Sequence, residues 1–186
     1  GCGDDEPTSL GAPTADAGSV SSGEVAQPEL REELLAMLEA DQQVRSDVDA
    51  DWDAVDVPNQ ERLAEIFDEH GWPGWSLVGE DGSTAAWAIV QHADLDLDFQ
   101  RRGLAMLEAA VDAGDASPGD LAYLTDRVLV AEGKPQVYGT QWGLSVTGEP
   151  EPRTPIEDEA NVDERRAAAG LSPLDEYLEE LQSAPG

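Results

Sequence analysis

The sequence predicts a mainly α protein: a single compact helical domain of about six or seven helices, with one short β-hairpin or extended arm near residues 136–153. Three observations carry this. Apolar residues recur at spacings of three and four through most of residues 28–182, the period of a helix with one buried face. Capping and stop residues punctuate those stretches at helix-like lengths. A period of two appears once, in Tyr138, Thr140, Trp142, Leu144 and Val146, with a TGEP turn after them.

The first helix is expected from Pro28 to Arg45, with Leu30, Leu34, Leu35 and Leu38 on one face; continuing that face reaches Asp41, Gln42 and Arg45. A second, from Pro58 to about Glu69, carries Leu63, Ile66 and Phe67, and Gly71 and Pro73 stop it. The glycine- and tryptophan-rich stretch from Gly71 reads as a loop, an ordered lid or wall. Trp72 and Trp75 there either cap the core or stack on a ligand. From Ser83 the chain is apolar all round until Gln91 and His92, as in a central helix. A helix over about 99–113 follows. Ser117-Pro118-Gly119-Asp120 caps the next, which Gly133 closes. Thr154-Pro155-Ile156-Glu157 is a second capping box, and Ser172-Pro173 opens a last amphipathic helix.

Length and composition narrow the rest. With the ends removed, 186 residues make one domain, and five Trp with 40% apolar residues are enough for a packed interior without a metal or disulfide. No run of about 18 apolar residues is present, so no segment is expected to cross a bilayer. Against 41 acidic residues stand ten basic ones, a net charge of -31. Such a surface repels nucleic acid and anionic lipid, both of which need basic patches. The acidity fits either a salt-rich habitat or an acidic extracellular protein.

Cys2 is the single cysteine, which excludes an internal disulfide. Gly1-Cys2, followed by a polar stretch, resembles the start of a mature bacterial lipoprotein. That resemblance implies a lipid anchor on Cys2 and a position on the extracytoplasmic face of the cell membrane, with the membrane contacted through the anchor only. The other reading is an ordinary N-terminal cysteine. Residues 1–27 are then expected to be a disordered acidic linker reaching about 25 to 30 Å. Residues 28–182 are the helical domain and 183–186 a tail.

Six blocks lie in order along the domain: DQxxR at 41–45, HGWP at 70–73, QHAD at 91–94, LTDR at 124–127, QxYGTQ at 136–141 and VDERR at 162–166. As a set they resemble the bacterial domain of unknown function family 6624, over roughly residues 30–180. The resemblance implies a shared fold and carries no established activity.

Within these blocks polar side chains fall on or beside apolar faces. Asp126 and Arg127 interrupt the greasiest helix, and charges in such surroundings need partners or a wet cavity. The expectation is that Asp41, Arg45, Gln91, Arg127, Gln136, Tyr138, Gln141 and Arg165 line one cleft for a small anionic or polar ligand, with the arginines forking a carboxylate or phosphate. The alternative is a hydrolase in the same cleft. There His92 is the general base, and Asp126 or Asp94 holds its tautomer. A third reading has each buried polar residue only tying helices together. No cofactor is indicated and no metal ligand set is expected. Two His and a lone Cys lack ligand spacing, and the alternating Asp47–Asp53 run has Trp52 and Pro58 where a calcium loop needs Gly and Glu. A GxSxG elbow and a phosphate loop are both missing.

Overall fold

The computed structural model describes residues 25–47, 49–146 and 149–183. The Cys2 anchor, most of the expected linker, Thr147 and Gly148 of the expected turn, and the last three residues lie outside them. The element order is α1 (Pro28–Arg45), α2 (Asp53–His70), α3 (Trp75–His92), α4 (Leu97–Asp112), α5 (Pro118–Ala131), β1 (Trp142–Leu144), β2 (Pro150–Pro152), α6 (Val162–Ala168) and α7 (Leu174–Ser183). Strands β1 and β2 pair antiparallel, Trp142 opposite Pro152 and Leu144 opposite Pro150. The mainly α architecture with one short hairpin is the one the sequence predicts. No helix among the described residues is long and apolar enough to cross a membrane.

Helix α3 is central because its second half, from Ala85 to Val90, is apolar on every side. It packs against α1, α2, α4 and α5, burying Ala85, Ala86, Ala88, Ile89 and Val90. Its approach to α4 is close enough that a Cβ at Gly103 would meet Val90 Cγ1 at 2.7 Å. The core continues through Leu34, Leu63, Ile66, Leu107 and Leu124. Phe67 stacks on both Trp72 and Phe99, with ring centroids 5.7 Å apart in each pair. Trp72 thus caps the core, and its Nε1 donates to Ser83 Oγ at 3.1 Å.

Three boundaries differ from the sequence expectation. Helix α2 begins at Asp53, a turn before Pro58. A proline there removes one helical N–H, but Asp56 in the added turn grips Arg45 of α1, and that long-range ion pair holds the turn in place. Helix α3 begins at Trp75 inside the expected loop. Asp115 caps its start, accepting from Ser76 N–H at 2.7 Å, and Gly79 kinks it at φ 77°, a conformation open to glycine. The Thr154 capping box opens no helix. Gln136 claims that segment: its N–H donates to Pro155 O at 2.8 Å and its carbonyl accepts from Glu157 N–H at 2.7 Å. Helical structure resumes only at Glu159, as a 3-10 turn leading into α6.

The predicted Ser117 cap is present, its Oγ accepting from Asp120 N–H at 3.1 Å. Burial pushes the Asp120 carboxyl up to about 6, against the hydroxyls of Thr84 and Ser117, which favour its charged form. The folded chain therefore holds this proton more tightly than the unfolded chain. On this account stability is greatest below about pH 4 and is lost as pH rises through about 6. Since the other carboxylates also respond to pH, the measurement is a difference. Urea-melt midpoints of Asp120→Asn, followed from pH 4 to 7, should fall less steeply with rising pH than those of the parent.

Candidate functional site

The polar residues marked out by the sequence fall into three groups around the C-terminal ends of α3 and α5. The first joins α1, α2 and α3. Asp41 is buried on α1, where the apolar stripe predicts it, and Arg45 one turn later donates from Nε to Asp41 Oδ1 at 3.0 Å. Arg45 Nη2 also forks onto Asp56 at 2.8 and 2.9 Å, and its guanidinium lies 5.1 Å from the Trp52 ring centroid. Burial lowers the Arg45 pKa, but the two carboxylates outweigh it and hold the group above its ordinary value.

His92 belongs to this group. Its Nδ1 lies 2.9 Å from Asp41 Oδ1 and 3.1 Å from Arg45 Nε. Arg45 Nε–H donates to that ring nitrogen, and Asp41 is the one carboxylate of the described residues within ion-pair distance of it. The carboxylate that orients His92 is therefore Asp41, in place of the expected Asp126 or Asp94.

The second group is a clamp on the arm. Asp126, 0% exposed, accepts from Val137 N–H at 2.7 Å, Tyr138 N–H at 3.1 Å, Thr140 N–H at 2.9 Å and Thr140 Oγ1 at 3.0 Å. A carboxylate so enclosed by donors positions the arm, and none of these hydrogen bonds reaches His92. Gln136 is also fully buried, donating to Gln141 O and Thr154 O and accepting from Gln141 N–H. Tyr138 contributes its main chain, the N–H to Asp126 and the carbonyl to Arg166. Arg165 donates to the carbonyls of Val137, Glu157 and Asp158 and so ties α6 to the arm. None of these three residues lines the cleft, where the sequence places them.

The third group is the cleft itself, a concavity of about 270 Å³ lined by Asp94, Arg127, Val130, Ala131, Gln141 and Arg153. Neighbours on a helix point about 100° apart, so while Asp126 turns inward, Arg127 reaches the cleft. Its Nε donates to Asp94 Oδ1 at 2.9 Å, its Nη2 to Asp94 Oδ2, and its Nη1 to Gln141 Oε1 at 3.1 Å. Arg153 enters from β2's end of the arm, anchored by Nε to Trp142 O at 3.2 Å and by its N–H to Gln141 O at 3.0 Å. No carboxylate of the described residues lies within ion-pair distance of it. Gln91 stands apart from the cleft lining. Its side chain is buried, and Oε1 has no hydrogen-bond partner among the described residues.

Sequence reasoning missed Asp56, Gln100 and Arg153. Gln100 is buried under the end of α3, donating to the carbonyls of Val90 and Gln91 and, at 3.3 Å, to Asp94 Oδ1, which steadies the cleft's carboxylate. Arg153 carried one available signal: it is one of only ten basic residues in the chain and follows a proline in the arm.

The fold and this geometry define a mainly α domain with a small concavity, lined by Arg127 and Arg153, between α5, the loop after α3 and a clamped arm. The chain belongs to the family of unknown function DUF6624, whose model matches residues 28–186. No curated protein and no solved structure matches it.

Proposed function

We propose that this domain binds a small anionic or polar ligand in the cleft formed by Arg127, Gln141 and Arg153, and that a lipid on Cys2 holds it at the extracytoplasmic face of a membrane. One observation carries the binding reading. In a chain with 41 acidic residues, Arg153 lines a concavity and has no carboxylate partner among the described residues. Its Nε is fixed on a carbonyl, which orients the guanidinium, and the two Nη groups keep donors for a carboxylate or phosphate. The volume lies near the small end of the roughly 300–1,000 Å³ typical of ligand sites. Tethering is supported by the lipoprotein-like Gly1-Cys2 start and its polar spacer. The Asp41–His92 pair is not part of this reading, because neither residue lines the cleft.

The test is a thermal-shift titration with acetate and with phosphate, each against chloride at matched ionic strength, since any salt screens so acidic a surface. At a hundredfold excess over Kd the bound form gains about 2.7 kcal/mol, a rise of about 5–10 °C for a domain of this size. Arg153→Ala should lose the response while its own melting temperature changes by under about 2 °C, as expected of an exposed side chain. A parent whose melting follows ionic strength alone, whatever the anion, would remove this reading.

A further inference from the structure

The cleft holds charges of both signs, and that narrows what fits it. This inference rests on the anion-binding reading above. Asp94 is 58% exposed at its side chain and shares the lining with Arg153. Its Oδ1 accepts from Arg127 and Gln100, whereas the contacts among the described residues give Oδ2 only Arg127 as a partner. A carboxylate oxygen takes two donors, so Oδ2 retains a place for one more. Val130 and Ala131, which line the same concavity, form the C-terminal end of α5, where the helix dipole is negative and favours a cation. An anion without a positive group would meet Asp94 and this helix end as well as Arg153. A cation without a negative group would leave the Arg153 fork unused.

We infer that the ligand is a small zwitterion, a free α-amino acid. Its carboxylate is held by the Nη groups of Arg153 and its ammonium by Asp94 Oδ2, with the side chain against Val130 and Ala131. Arg127 acts as a positioning residue: it holds Asp94 on one edge and Gln141 on the other, so that acceptor and fork keep their separation.

The experiment is calorimetric titration of the full chain with alanine and leucine, with their N-acetyl derivatives, which keep only the carboxylate, and with their amides, which keep only the ammonium. The free amino acids should bind about tenfold to a hundredfold more tightly than either derivative, the worth of one charge-assisted contact. Asp94→Asn should bring the free amino acid down to the affinity of its N-acetyl form, and Arg153→Gln should weaken both. The comparison of ligands on the parent needs no variant, so a poorly folded Asp94→Asn leaves the test intact. N-acetyl derivatives binding as tightly as the free amino acids would overturn the zwitterion assignment while sparing the anion site. Amides binding most tightly, or no binding by any of these ligands or by acetate and phosphate, would overturn both.

Discussion

Asp126→Ala should lower the melting temperature by about 10 °C and abolish any anion response with it. The carboxylate gathers the donors of the turn at 137–140, taking three backbone N–H groups and one hydroxyl at 2.7 to 3.1 Å in a site with no solvent exposure. Each buried donor left without an acceptor costs about 1–3 kcal/mol, and partial relaxation of the turn brings the sum to about 3–5 kcal/mol. The same turn leads into Gln141, whose carbonyl fixes Arg153, so stability and binding should fail together. Asp126→Asn is the sharper comparison. It keeps the shape but turns an N–H₂ towards backbone N–H groups, which can only donate, and should recover no more than half of the loss. Differential scanning calorimetry measures both; a loss under about 1 kcal/mol in Asp126→Ala would mean the turn holds itself.

Arg166→Ala is expected to cost about as much, roughly 4 kcal/mol, for a different reason. Arg166 is 1% exposed and has no carboxylate within ion-pair distance among the described residues. Its charge is met by carbonyl dipoles instead: Nε donates to Ser172 O at 2.6 Å, and Nη1 to Tyr138 O at 2.8 Å and Gly139 O at 3.4 Å. The guanidinium lies 4.9 Å from the Tyr177 ring centroid, a cation–π contact in a desolvated setting. Burial, with Tyr123 beside it, pushes the Tyr177 hydroxyl up, and the nearby Arg166 pulls against that rise. Truncation leaves these carbonyls without their donor and opens a cavity between α6, α7 and the arm. Arg166→Lys keeps the charge but loses the planar fork that reaches Ser172 and Tyr138 at once, so it should recover little. Urea denaturation measures both. Near-parental stability in the lysine variant would show that charge alone suffices there.

These two residues also show which parts of the structure the sequence made legible. Helix faces were readable because burial repeats locally: the stripe from Leu30 to Leu38 put Asp41 on the buried side of α1 with Arg45 one turn on, though not in the cleft, and the Ser117 box placed the start of α5. Asp126 and Arg127 stood out as charges in a greasy helix, but their division of labour did not. Which of two adjacent charges turns inward depends on the arm at 136–141, whose contacts with α5 are long-range. The pairing of His92 was illegible for the same reason, since Asp41 lies 51 residues away. The Thr154 box misled because a local cap signal competes with the Gln136 bridge, which satisfies the same backbone groups from a distance. Arg153 escaped notice because what marks it is the lack of a carboxylate partner among the described residues, which only coordinates reveal.

Arginine side-chain ¹⁵N–¹H spectra followed through an acetate titration test most directly whether the cleft is an anion site. The Arg153 Nε–H resonance should move saturably, with smaller movement at Arg127 behind it, while Arg62 and Arg102, paired on the surface, follow ionic strength only. If Arg153 drifts with ionic strength in step with those surface arginines and never saturates, its guanidinium is merely solvated and the cleft binds no anion.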